Sequence, residues 1–210
     1  MSPAKVTLSP KELELVTNTD WILTKNRIIQ KVYELFGELA ERYRVEFSEL
    51  SLEDKNEILL RSAKISKGEQ YENLPWVMLD YPRYYQTEDS FGIRTFFWWG
   101  NHFSIHLQLS GKYCNRYRNS IRHYFQEINT DTENWWIGIG DNPWEHHFRE
   151  NNFQPIGANL ELLEQVPFIK IARNFPIHEW ENIPLLMEGS FRKILMMLSY
   201  SDKDQALPSL

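Results

Sequence analysis

One cysteine, Cys114, is the whole thiol inventory of the chain, which excludes an internal disulfide and leaves no paired CxxC for a metal or a redox couple. Long apolar runs are missing as well. No stretch approaches the length that crosses a bilayer, and the first residues lack the charged-then-apolar order of a secretory leader. A soluble, intracellular, cytoplasmic setting with no membrane partner is therefore expected. Basic charge is in short supply: 23 Lys and Arg stand against 29 Asp and Glu, a net charge of −6 with a pI near 5.6. That balance opposes attraction to a phosphate backbone and ranks nucleic acid last among partners. There is no GxGxxG fingerprint, no GxxxxGKS/T phosphate loop and no GxSxG elbow, so no cofactor is expected.

Aromatic rings are what the chain has in plenty, with 8 Trp, 10 Tyr and 12 Phe among 210 residues. Rings on this scale mean first a large buried payload and second an interface or ligand platform. With 42% hydrophobic and 25% charged residues the composition is that of an ordinary globular protein. One domain over residues 1–200 is expected, followed by a disordered tail over 201–210.

The densest run of rings, Phe91 to Leu109, reads as a β-hairpin closed by Gly100-Asn101. A two-residue primed turn there would set Trp99 opposite His102, Trp98 opposite Phe103 and Arg94 opposite Leu107. One face would then collect Arg94, Phe96, Trp98, Phe103, Ile105, Leu107 and Leu109. The other would collect Ile93, Thr95, Phe97, Trp99, His102, Ser104, His106 and Gln108, half of it apolar and half able to hydrogen-bond.

Around the hairpin, Ser9-Pro10-Lys11-Glu12 is a helix start with the parts of a capping box. After Asn18, the spacing of Ile28, Val32, Leu35, Leu39 and Tyr43 predicts the longest helix, with a close neighbour suspected at Gly37. Ser51 to Asp54 caps a further helix with Ile58 inward. Trp76 to Tyr81 is apolar on both faces and predicts an interior strand. Tyr113, Tyr117, Ile121, Tyr124 and Ile128 predict a helix, Trp135 to Ile139 a short strand, and Asn142 to Glu150 a short helix. Phe168 to Phe175 reads as a strand at an edge or with one face partly exposed, because it holds Lys170 and Asn174. Met187, Phe191, Ile194 and Leu198 line a last helix. Hairpin-linked strands between blocks of helices make this an α+β fold, with a mainly antiparallel sheet of about four to six strands.

Chemistry-bearing residues are few. At about 3.3 Å per residue along a strand, His102 and His106 are roughly 13 Å apart, too far to share an ion. Asp141, Glu145, His146 and His147 offer metal-ligand types, yet on a helix adjacent histidines diverge by about 100° and no metal-binding spacing is present. No metal site is expected. Arg94 on a core face must be paired, and Asp80 is the candidate partner. Lys112, Arg116, Arg118 and Arg122 give one helix a basic face, read as solvated surface.

The function these residues support is non-catalytic binding through the mixed hairpin face. Phe97, Trp99, His102, Ser104, His106 and Arg94 are the candidate ligand- or partner-binding residues. The occupant would be a protein partner, a second copy of the chain or a small molecule. The alternative is a small enzyme in which His102 or His106 acts as general base while Arg94 or Arg83 holds an anionic substrate.

Overall fold

In the computed structural model, which describes residues 6–128 and 134–199, two helical turns precede any contact with the core. Helix α1 (Pro10–Thr17) carries the expected capping box: the Ser9 amide donates to Glu12 Oε2 at 2.7 Å, and the Glu12 amide to Ser9 Oγ at 3.3 Å. Asn18 then caps α2 (Thr19–Glu49), whose buried stripe of Ile29, Val32, Phe36, Leu39, Tyr43 and Phe47 confirms the helical spacing. Gly37 is not a close-packing site, since an added Cβ there would meet nothing within 4 Å. Helix α3 (Lys55–Ile58) is a single turn that buries Ile58.

Seven strands follow, all paired antiparallel: β1 (Lys64–Tyr71), β2 (Leu74–Tyr85), β3 (Ser90–Trp98), β4 (His102–Ser110), β5 (Trp136–Gly138), β6 (Phe153–Pro155) and β7 (Ile169–Pro176). Their order across the sheet is β1-β2-β3-β4-β7-β5-β6. Helix α4 (Gly111–His123), extended by a wider turn over Tyr124–Ile128, and α5 (Ile183–Ser199) join α2 on one face. The α+β class and single domain are as expected. Polar β1 and three-residue β6 carry the sheet past the four to six strands that apolar runs mark. The tail at 201–210 and the Ile128 side chain lie outside the described residues.

Packing on the helix side is aromatic. Tyr43 stacks on Phe191 at 3.9 Å and its hydroxyl meets Thr95 Oγ1 at 3.3 Å, while Phe36 meets Phe103 edge-on at 6.4 Å. Helix α4 buries Tyr113, Tyr117, Ile121 and Tyr124, and α5 buries Met187, Phe191, Ile194 and Leu198, as their spacing predicts. The basic face of α4 is not a free patch. Lys112 pairs with Glu57 at 2.5 Å, Arg116 with Asp54, Arg122 with Glu164 at 2.9 Å, and Arg118 donates to the Val166 carbonyl at 3.3 Å.

Three further expectations need correction. Strand β7 is not an edge but lies between β4 and β5, and of the two alternatives only partial exposure holds, at Arg173 and Asn174. Residues 145–149 form no helix; they belong to an irregular segment, 139–152, laid across the sheet face that the helices leave bare. The hairpin register is one step from the expected one: Trp98 pairs with His102, Phe97 with Phe103 and Arg94 with His106. The loop has three residues. The Asn101 amide donates to the Trp98 carbonyl at 3.0 Å, placing Gly100 at the third turn position with φ +73°, where a type II turn requires glycine.

Candidate functional site

That slip re-sorts every proposed site residue. Side chains alternate along each strand as expected, but the two strands combine the other way. Ile93, Thr95 and Phe97 share the helix side with Phe103, Ile105, Leu107 and Leu109. Arg94, Phe96 and Trp98 share the opposite side with His102, Ser104, His106 and Gln108. The proposed face of Phe97, Trp99, His102, Ser104 and His106 therefore does not exist as one surface, and Arg94 belongs with the histidines. Phe97 is buried beneath the helices. Trp99, in the turn, sits half-buried against Trp21 of α2 at 6.2 Å.

On the far side one rung runs Asp80, Arg94, His106, Ala172 across β2, β3, β4 and β7. The expected ion pair is present and bidentate, with Arg94 Nε donating to Asp80 Oδ1 at 2.7 Å and Arg94 Nη2 to Oδ2 at 3.1 Å. Arg94 Nη1 meets His146 Nε2 at 3.0 Å. A guanidinium has only donors, so Nε2 accepts and the imidazole proton rests on Nδ1. Ser104 Oγ and His106 Nε2 are 2.8 Å apart, both fully enclosed. Gly92 leaves the space that the Tyr85 phenol fills beside Arg94; a Cβ there would stand 2.1 Å from its hydroxyl.

Segment 139–152 closes this layer and is held by polar groups rather than by helical periodicity. The amides of His146 and His147 donate to the Tyr71 hydroxyl at 2.6 and 3.2 Å. Lys170, 1% exposed, donates from Nζ to the Pro143 carbonyl at 2.8 Å and also to that of Glu145. Asn152 Nδ2 donates to the His147 carbonyl at 2.7 Å, and Phe148 stacks on Phe153 at 4.7 Å. Lys170 looks like an edge residue in sequence because the carbonyls that satisfy it come from a loop about 25 residues away along the chain.

Burial governs the titration of this layer. It holds His106 and His146 well below the usual imidazole range, reinforced by the Lys170 and Arg94 charges, and pushes His102 down to about 4. Lys170 falls to about 7 through burial and the Arg94 charge, against an opposing pull from Glu145. Among the described residues, the buried charged side chains are Asp80, Arg94 and Lys170: one carboxylate against two cationic groups.

Two cavities touch the residues singled out in sequence. One, of about 320 Å³, is lined by Tyr71, Trp76, Phe96 and Trp144, with the Arg94 guanidinium and His146 in its wall. Trp144 is 48% exposed and lies 5.1 Å from Arg94, like a ring over a charge. The other, of about 440 Å³, is an apolar groove on the helix side holding Phe97, Trp99, Ile28, Ile177 and Trp180. Tyr71, Trp144, His146 and Lys170 were missed as site residues. In sequence His146 stands out only as part of a metal-like cluster and Lys170 only as a mark of an exposed strand. No group of three or more His, Cys, Asp or Glu among the described residues is placed to hold a metal ion.

No protein-family model, curated protein or solved structure matches the chain. Fold and site together define an α+β domain with an enclosed polar layer and an aromatic cavity opening onto it. No helix among the described residues is long and apolar enough to cross a membrane.

Proposed function

We propose that the protein is a non-catalytic binder of a small planar anion, taken into the cavity between Trp76, Trp144 and the Arg94 guanidinium. The observation that carries this reading is the fixed guanidinium in an aromatic wall: Asp80 grips Arg94 by two hydrogen bonds, so an incoming carboxylate or phosphate meets a donor already oriented. The excess of cationic groups over carboxylates in the enclosed layer favours an anion. The four rings favour a flat body.

The enzyme reading needs an imidazole lone pair facing the ligand. His146, the histidine in the cavity wall, uses its lone pair to accept from Arg94, and His106 is closed in with Ser104. These arrangements support binding over proton transfer.

Titration with benzoate, phenyl phosphate and neutral benzamide tests the proposal through tryptophan fluorescence and thermal shift. The acids should bind at least about tenfold tighter than the amide, the discrimination expected of a charge-assisted hydrogen bond. Met78→Trp, which fills the cavity, should abolish the response. Equal binding of acid and amide, or no response to any of the three, refutes it.

A further inference from the structure

A further cavity, of about 470 Å³, lies between the β2–β3 connection at 86–89, the start of α4 and Phe168, and shares only Trp144 with the cavity of Arg94. Gln108 of β4 stands in its wall. That residue is 4% exposed, yet its carboxamide makes no hydrogen bond among the described residues. Its neighbours across the strands leave it so: Gly92 has no side chain, and Lys170 is engaged by the Pro143 and Glu145 carbonyls. An enclosed amide without a partner is unfavourable, and a ligand that meets both its donor and its acceptor relieves this.

The surroundings of Gln108 narrow the choice of ligand. Ser110 gives its proton to the Glu88 carbonyl at 3.0 Å, so Ser90 donates to Ser110 Oγ at 2.9 Å and keeps its own oxygen as an acceptor. Tyr85, Trp144 and Phe168 add flat walls of the kind on which bases stack. No Lys, Arg or His lines the cavity, whereas Glu88 does. The Lys112 amide at the start of α4 is already taken by Asp89 Oδ1 at 2.8 Å, and Arg94 is held by Asp80. A neutral ligand fits these walls better than an anion.

We propose that this cavity binds a neutral purine nucleoside whose base edge pairs with Gln108. A carboxamide presents a donor beside an acceptor, the combination that meets the 6-amino group and N7 of adenine together. The ribose hydroxyls bring the donor that Ser90 Oγ accepts. A cavity of this size also has room for a sugar beside the base.

Calorimetric titration of the full chain with adenosine should show saturable binding, and purine riboside, which lacks the 6-amino group, should bind at least about tenfold more weakly. That contrast needs no variant. AMP should gain nothing over adenosine, since its phosphate meets no cation in the cavity wall. Gln108→Leu should weaken adenosine by a similar factor with an unchanged circular dichroism spectrum, while Met78→Trp, which fills the other cavity, should leave adenosine binding as it is. Loss of benzoate binding would bear on the anion site alone. No saturable binding of adenosine up to about 1 mM, equal binding of adenosine and purine riboside, tighter binding of AMP, full binding by folded Gln108→Leu, or loss of binding in folded Met78→Trp overturns the proposal.

Discussion

The two faces of the central hairpin are built from the same eighteen residues of β3 and β4 and are equally buried, yet they are closed by opposite means. The Phe97 face meets three helices through rings and branched aliphatics. There, regular backbone satisfies itself and the side chains have only to fill space. The Arg94 face meets a segment without regular structure, whose carbonyls and amides must find side-chain partners. Lys170, Asn152 and Tyr71 supply them. A segment closed in this way can open at less expense than a packed helix. The cavity proposed to bind an anion lies on that second face.

The largest effects should come from breaking one element of each face. Phe103→Ala removes a fully buried ring from the helix side and should lower the stability measured by urea unfolding by about 3–5 kcal/mol. Asp80→Ala should cost a similar amount by another route, since it leaves Arg94 enclosed without its carboxylate. The two differ on repair. Replacing both partners, Asp80→Leu with Arg94→Met, should recover most of the loss, because a buried ion pair and an apolar pair of similar volume are close in net free energy. Anion binding should be lost all the same. Failure to recover would mean that the pair fixes the register of β2 on β3.

Acid separates the faces next. His106 and His146 are held well below the ordinary imidazole value near 6.5, so the unfolded chain takes up protons that the folded chain refuses. Stability contributed by their neutral burial is complete above about pH 6.5 and is lost as pH falls, by up to about 1.4 kcal/mol per pH unit for each histidine. Lys170 acts in the same direction higher up. Its folded value of about 7 lies below the unfolded 10.5, so its penalty is full below pH 7 and is relieved as pH rises between the two. Urea midpoints should climb steadily from about pH 5 to pH 9. His106→Gln should flatten the acid limb; an unchanged slope would show that the layer opens before it titrates.

Much of the helix side was legible in the sequence because apolar periodicity is local. The Ser9 capping box, the stripe on α2 and the inward residues of α4 and α5 needed only neighbouring positions. The pairing of Arg94 with Asp80 followed from the demand that a buried guanidinium be met. The hairpin register was not legible from the turn alone, because Trp98-Trp99-Gly100-Asn101 suits a type II turn with glycine third and the overlapping Trp99-Gly100-Asn101-His102 suits a primed turn with glycine second. Matching the faces would have found it: the observed register places Phe97 with Phe103 and Ile93 with Leu107, apolar against apolar. Strand β1, polar on both sides, carries little alternation to read. Lys170 and His146 owe their burial to contacts between the loop and β7 or β3, and no local pattern encodes those.

The smallest effect on stability should be the sharpest on function. Trp144 is half exposed, lies on the segment rather than in the sheet, and touches the site through Tyr85 at 5.6 Å and the Arg94 charge at 5.1 Å. Trp144→Ala removes a ring that closes the cavity without opening the core, so the stability measured by urea unfolding should change by no more than about 0.5 kcal/mol. Affinity for benzoate should fall by about tenfold, the contribution of one ring over a planar anion and its guanidinium. Trp144→Phe should restore most of it. A stability loss as large as that of Phe103→Ala would instead mean that Trp144 holds segment 139–152 in place, and the two faces would then be closed equally firmly.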